Sequence, residues 1–191
     1  MGRQWGGLGQ EVLSEGQTVL FRERRPKIGE QRPKIDILYN TAERHQTIAE
    51  AVQQMWKTNL GIDIALHNEE WKVYLNSTSN EQMDFDLARA GWIGDVVDPI
   101  NFLECFLSGN GNNRTGWGNA EYDRLLAAAI KENDLTKRYA LYDQAEHILM
   151  DEVPILPIYH YVRPYLIQPD VRGYDANILA YYAYHKVWFE K

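Results

Sequence analysis

The chain holds a single cysteine, Cys105, among 191 residues. That count excludes an internal disulfide and a cysteine-built zinc cage. Histidine is sparse and scattered: His45, His67, His147, His160 and His185 include no H-x-x-x-H pair, so no metal centre and no cofactor is expected. A G-x-S-x-G nucleophile turn is missing, and neither Gly109–Gly111 nor Gly116–Gly118 leads into the lysine of a phosphate-binding loop. No apolar run approaches the roughly 20 residues that cross a bilayer. Residues 1–10 are glycine-rich and lack the apolar stretch of a secretory signal, so none is expected there. Basic residues are in the minority, 20 Lys and Arg against 27 Asp and Glu, for a net charge of −7. A nucleic-acid binder would carry a basic face instead, and nucleic acid is not an expected partner.

What is present suffices for one ordinary domain with a small appendage: 45 % of the residues are hydrophobic, enough to build a core. Charge is uneven. Residues 1–35 carry a net +3, which leaves −10 for the remainder. Arg25-Pro26-Lys27-Ile28 recurs as Arg32-Pro33-Lys34-Ile35. These shifts set residues 1–34 apart, either as a leader of non-native origin or as a basic arm with its own partner. Within them, Glu11 to Phe21 can form a strand or hairpin.

From residue 35 the pattern is that of an α/β layer. Ile35–Tyr39 reads as a buried strand. Thr41 is placed to cap a helix in which Ile48, Val52, Met55, Trp56 and Leu60 form one apolar stripe, and Gly61 ends it. Ile62–Leu66 reads as a second strand, parallel to the first by the usual crossover. A short helix over Glu70–Ser77 carries Trp71, Tyr74 and Leu75, and a third strand covers Asp84–Ala90. Pro99 opens a helix. Ser108–Gly118 is a glycine- and asparagine-rich loop of a length that is often functional or mobile. Two amphipathic helices follow, around Tyr122–Ile130 and Leu141–Leu149, separated by a cap at Asn133 or Asp134. Val153–Val162, with Pro154 and Pro157, suits an edge or crossover strand, because proline lacks a ladder donor. The alternating aromatic tail Tyr181–Phe189 reads as a final strand.

The segment Phe85-Asp86-Leu87-Ala88-Arg89-Ala90-Gly91-Trp92-Ile93-Gly94-Asp95 concentrates the chemistry. It reads as a strand running into a glycine-flanked turn, with a cation, a large aromatic and an anion within seven positions. A guanidinium fork accepts a carboxylate through two parallel hydrogen bonds, and an aspartate can hold an ammonium group. Facing one cleft, Arg89 and Asp95 would grip a zwitterion such as a short peptide. The plainer alternatives are an internal ion pair of Arg89 with Asp84, Asp86 or Asp95, and an Asp95 that caps its own turn. Trp71 and Trp92 serve either as core or as flat pocket walls. The acid pairs Glu69/Glu70 and Asp95/Asp98, with tryptophans nearby, leave a carboxylate-based glycoside hydrolase open.

Residues 35 to 191 resemble the C-terminal part of the peptide-binding proteins of ABC importers, the large peptide- and nickel-binding class of solute-binding proteins. The resemblance lies in Leu38-Tyr39-Asn40-Thr41 with His45, Glu70-Trp71-Lys72, Ala88-Arg89-Ala90-Gly91-Trp92, Asp95, Pro99 with Phe102-Leu103, Tyr122-Asp123, Leu141-Tyr142, and Pro157-Ile158-Tyr159 with Tyr161-Val162. It implies a periplasmic-binding-protein-like α/β lobe over 35–160, with crossover and tail strands over 161–191 that in relatives return to a second lobe. It also implies non-catalytic capture of short peptides for an ABC permease, in the periplasm or, lipid-anchored, outside a Gram-positive cell. Asp95 would then hold the peptide amino group, and Arg89 or His45 the terminal carboxylate. Trp71, Trp92, Gly91 and Tyr161 would lie beside the ligand. A second basic residue expected shortly after Trp71 is replaced around Ser77 and Thr78, which leaves the peptide length open. Members of the class are much longer, so the chain reads as a fragment, and its exposed tail predicts self-association. An oligosaccharide, metal chelate or haem is the alternative ligand in the same transport class. An interaction module built from one lobe is a further alternative.

Overall fold

The computed structural model describes residues 15–21, 35–79, 83–162, 165–174, 177, 179 and 181–190. Its centre is a five-stranded sheet in the order β3-β2-β4-β1-β5. The strands are β1 (Glu15–Phe21), β2 (Ile35–Asn40), β3 (Ile64–Glu69), β4 (Leu87–Ile93) and β5 (Ile155–His160). β2 pairs in parallel with both β3 and β4. The anticipated strand within Glu11–Phe21 is present as β1. It is hydrogen-bonded antiparallel to β4 on one side and to β5 on the other. β5 is the edge strand, the position in which Pro157 removes no ladder bond the sheet needs.

Helices cover both faces. α1 (Glu43–Leu60) packs on one side, where Ile37, Tyr39, Ala49, Ile64 and Leu87 are buried with Val52 and Trp56 against them. Gly61 ends α1 at φ 64°, a left-handed conformation that suits a residue without Cβ. Two corrections apply here. The stripe is narrower than anticipated, since Met55 and Leu60 face solvent. Thr41 does not cap α1: its hydroxyl donates instead to the Glu69 carbonyl and the Asn68 side chain, tying the end of β2 to that of β3. The residue in the cap position is Ala42, which offers no side-chain acceptor.

The other face carries the larger core. α2 (Trp71–Ser77), α3 (Ile100–Leu103), α4 (Ala120–Lys131) and α5 (Leu135–Glu152) enclose Leu38, Tyr74, Phe85, Ala88, Tyr122, Leu126 and Leu149. The start of α4 is fixed by Asn119, whose side chain accepts from the backbone N–H groups of Glu121 and Tyr122. Asp134 does the same for α5, accepting from Thr136 and Lys137. The Tyr122 hydroxyl donates to the Leu103 carbonyl at 2.7 Å, which joins α4 to α3.

Two further strand expectations are corrected. β4 begins at Leu87 and runs through Gly91 to Ile93, so Gly91 lies within the ladder and the turn starts only afterwards. The register with β1, Gly91 opposite Gln17, extends the strand past the point where local periodicity ends. In the tail, only Trp188–Phe189 (β7) is strand, paired with Val171–Arg172 (β6). A single 3-10 turn occupies Tyr184–Lys186. Tyr181, Tyr184, Trp188 and Phe189 are all exposed, so no covered face favours a longer alternating strand among the described residues. Among the described residues, no helix is long and apolar enough to cross a membrane.

Candidate functional site

The parallel strands β2 and β3 end where α1 and α2 begin, β4 runs parallel beside β2, and the side chains of interest gather at that edge. Open α/β sheets bind ligands beyond the carboxyl ends of their strands. Arg89, near the middle of β4, sends its guanidinium to that edge. Nη2 donates to the Tyr161 hydroxyl at 3.1 Å, and Nη1 lies 3.4 Å from the Asn40 side-chain oxygen. Nε is buried and has no hydrogen-bond partner. No carboxylate among the described residues forms an ion pair with this guanidinium, and its acceptors are all neutral. Burial disfavours the charge and lowers the pKa of Arg89 from its usual value, while Tyr161, Tyr74 and Tyr159 oppose that shift. A partly buried cation held only by neutral oxygens is an incomplete arrangement that an incoming anion would complete.

His45 joins the same cluster from the first turn of α1. Its Nδ1 lies 3.2 Å from the Asn40 carbonyl oxygen, which can only accept, so this nitrogen carries the proton. Burial first, and the Arg89 charge second, lower the His45 pKa, against the Asn40 bond that raises it. The neutral ring therefore keeps Nε2 as an acceptor. Tyr159 and Tyr161 meet edge to face at 5.2 Å. Burial and the neighbouring Tyr161 push the Tyr159 hydroxyl up to about 12.

A cavity of about 570 Å³ opens beside this cluster. Its walls are mostly apolar and include Trp71, Tyr74, Arg89, Gly91, Trp92 and Ile155. Trp71 is half-exposed and stacks on the buried Tyr74 ring at 5.7 Å. The indole N–H of Trp92 is buried without an acceptor. It is a donor aimed at no protein group, suited to a carbonyl oxygen of a guest. Cys105 also lines the cavity, but burial, with Glu104 adding to it, raises its thiol to about 12 and keeps it protonated.

The anticipated site residues fall into three groups. Arg89 and His45 meet at Asn40, and Tyr161 joins them through Arg89. Trp71, Trp92 and Gly91 lie in the cavity wall together with Arg89. Asp95 belongs to neither set. It sits in the exposed turn after β4, with its backbone N–H donating to the Asn101 side chain at 2.8 Å. Arg89 and Asp95 are not paired with one another. Asp98 is engaged structurally: Arg138 meets it at 2.6 Å, and the Tyr142 hydroxyl and the Ile100 N–H donate to it at 3.0 Å. Glu70 caps α2 by accepting from Lys72 N–H. Each acid pair that left a hydrolase open thus has one member committed to the fold. Among the described residues, no three of His, Cys, Asp and Glu come together as a metal site requires.

Three contributors escaped sequence reasoning. Asn40 bridges His45 and Arg89 through its backbone and side-chain oxygens, and Tyr159 meets Tyr161 edge to face. Arg114, in the loop between α3 and α4, also reaches the cavity wall. Its only signal is a lone cation in a run of glycine and small polar residues.

Fold and site together define an α/β lobe with a polar cluster centred on Arg89 and a mostly apolar cavity at its strand ends. The comparisons with known proteins give this class a family. Residues 12–114 match the description of bacterial extracellular solute-binding proteins, family 5 Middle, and the chain belongs to that family. The match begins inside the segment that composition set apart. The chain is 47 % identical over 142 residues to the oligopeptide-binding protein OppA of Bacillus subtilis, covering 74 % of this chain and 26 % of that protein. It is 44 % identical over 169 residues to the periplasmic murein peptide-binding protein MppA of Escherichia coli, covering 88 % and 30 %. The crystal structure of Haemophilus influenzae OppA in complex with RPPGFSPFR superposes with a TM-score of 0.69 at 38 % identity, covering 83 % and 31 %. The chain therefore spans between about a quarter and a third of the length of these relatives.

Proposed function

We propose that this chain is one lobe of a non-catalytic protein that captures short peptides for an ABC importer. The observation that carries this reading is the Arg89 guanidinium, half-buried at the cavity and held, among the described residues, by neutral partners alone. Relatives that share this segment are an oligopeptide-binding protein and a murein peptide-binding protein. A peptide's terminal carboxylate supplies the anion that Arg89 lacks, with His45 and Tyr161 beside it. Trp71 and Trp92 offer flat apolar walls to side chains of varied sequence. The Trp92 N–H would take a peptide carbonyl. Asp95, free of ion pairs among the described residues, is the candidate for the amino terminus, reached when a second lobe closes over the ligand. In this reading the protein works outside the cytoplasmic membrane, lipid-anchored in a Gram-positive cell, and delivers its peptide to a permease.

Calorimetric titration of the full-length protein with short peptides, their C-terminal amides and oligosaccharides tests the reading. Peptides with a free carboxylate are expected to bind, and Arg89→Met to weaken them by roughly 2–5 kcal/mol, as for loss of one member of a buried charge pair. Asp95→Ala is expected to weaken peptides with a free amino group in preference to acetylated ones. Tighter binding of a sugar than of any peptide would overturn the proposal. The isolated lobe, lacking a closing partner, is expected to bind peptides weakly.

A further inference from the structure

The loop between α3 and α4 is rich in glycine and asparagine but is tightly built. Asn113 is buried, and its side-chain nitrogen donates to the carbonyls of Phe106, Leu107 and Trp117. Its side-chain oxygen accepts from both the N–H and the hydroxyl of Thr115, at 3.2 and 2.7 Å. Thr115 is itself 1 % exposed and accepts from the Trp117 N–H. Asn110 adds a bond from its side chain to the Glu104 carbonyl at 2.8 Å. Arg114 lies between the two buried residues, so its Cα position is set by the packing of both neighbours. A site held by such flanks is positioned before any ligand arrives.

Arg114 is half-buried in the cavity wall. Its Nη1 donates to the Thr78 hydroxyl at 2.7 Å. Thr78 is fully buried and passes the bond on to the Tyr74 carbonyl at 2.8 Å. Tyr74 in turn donates its hydroxyl to the Arg89 carbonyl. The two arginines are thus fastened to opposite ends of one buried tyrosine, in the walls of one cavity. Arg114 forms no ion pair with any described carboxylate, and its one side-chain hydrogen bond among the described residues is to a neutral hydroxyl. A guanidinium has five donors, and among the described residues only one of these is used. Glu146, across the same cavity on α5, makes no ion pair with it.

We infer that Arg114 is a second anion-receiving point in the cavity, which selects peptides presenting a carboxylate to it. This rests on the peptide reading above and adds a specificity to it. A basic residue was expected near positions 77 and 78 and is not in the sequence there. The structure brings a cation to Thr78 from a segment 36 residues further along. The carboxylate has two possible sources: an acidic side chain of a longer peptide, or the free terminus of a shorter one whose chain ends at Arg114 and not at Arg89.

Calorimetry on the full-length protein separates these cases. One peptide series carries Glu or Gln at each internal position with an amidated C-terminus. The other comprises neutral di-, tri- and tetrapeptides, each as free acid and as amide. At one internal position, or at one length, the acid is expected to bind about tenfold or more tightly than its amide, as for a desolvated charge contact. Arg114→Met is expected to bring that ratio close to one, with thermal unfolding used to verify that the variant is folded. Should the methionine variant fail to fold, Arg114→Gln, which can keep a bond to Thr78, is judged by the same ratio. A ratio near one in the unaltered protein overturns the inference, as does a ratio that the substitutions leave in place. In either case the functional reading is judged separately, by whether Arg89→Met weakens the binding of free-acid peptides. If no peptide of either series binds, the functional reading itself falls and this inference with it.

Discussion

Tyr122, Leu125 and Leu126 in the lobe are at most 2 % exposed, whereas in the tail Tyr181, Tyr184 and Phe189 are 65–68 % exposed and Leu166 is wholly so. Both regions are rich in large apolar residues. The lobe buries them between a sheet and helices on each face. The tail stacks them on each other: Tyr174 lies on Tyr182 at 5.1 Å, with Tyr165 and Tyr184 at either end of the row. β6 and β7 are joined by their ladder and by an Arg172–Glu190 ion pair. A row of rings with one or two ring neighbours each still leaves its ends, Tyr165 and Tyr184, more than half exposed. Apolar content therefore does not define a core; a second layer does. Large exposed apolar surface is in general a mark of protein or membrane contact, of a ligand groove or of aggregation.

The contrast is most exposed to failure through paired truncations. Leu126→Ala is expected to lower stability by about 2–5 kcal/mol, because the packed interior cannot close over the lost methyl groups. Leu166→Ala in the tail is expected to change it by less than about 0.5 kcal/mol. Urea denaturation measures both, and equal effects would mean that the tail belongs to the cooperative core. The next effect separates the ordered loop from the tail, since both lack long regular elements. Asn113→Ala leaves several buried backbone groups without partners and is expected to lower stability by about 1–3 kcal/mol. Asn177, which is exposed and bonds through its side chain to Tyr181 in the tail, is expected to tolerate the same change. A third measurement asks what covers the tail. We expect the isolated chain to self-associate with rising concentration in sedimentation equilibrium. Combined serine substitutions at Leu166, Tyr181 and Phe189 are expected to abolish this, and a monomer throughout would show that the exposed rings have no affinity for one another.

The same contrast marks how far the sequence could be read. α1, α4 and α5 were legible because the i, i+3, i+4 recurrence of Tyr122, Leu125, Leu126 and Ala129 has a real interior to face. Asp134 was legible as a cap because its carboxylate acts locally, on N–H groups two and three residues away. β4 extends past its anticipated end because β1 pairs along it from some 70 positions earlier, and no local pattern records that partner. In the site, Arg89, His45 and Tyr161 could be named from their type and motif. The meeting of Arg89 and His45 at Asn40 depends on strand register. Arg114 was illegible for a related reason. Its importance comes from Thr78 lying opposite it, and a loop's periodicity says nothing of what it faces. The alternating tail misled because alternation has meaning only where one face is covered.

Tyr161 is the point at which lobe and tail join, and the smallest predicted effect is read there. It accepts from Arg89, whose charge helps to depress the His45 pKa below its usual value. With the site empty, His45 is neutral at neutral pH, because protonation would place a second buried cation beside the first. A carboxylate arriving at Arg89 reverses the local field and raises the His45 pKa. The bound state then holds more proton than the free state between the two values. By linkage, affinity is fully enhanced below the depressed free-state pKa and falls as pH rises through the higher bound-state value. Peptide affinity is therefore expected to rise several-fold as pH is lowered from about 8 toward 5.5, with proton uptake on binding in that window. His45→Gln keeps a donor for the Asn40 carbonyl and is expected to abolish both effects. Proton uptake is measured by calorimetry in buffers of different ionisation enthalpy. A pH slope of the opposite sign would mean that the carboxylate does not come to rest between Arg89 and His45, and that the cluster at the lobe–tail junction orders the protein without touching the guest.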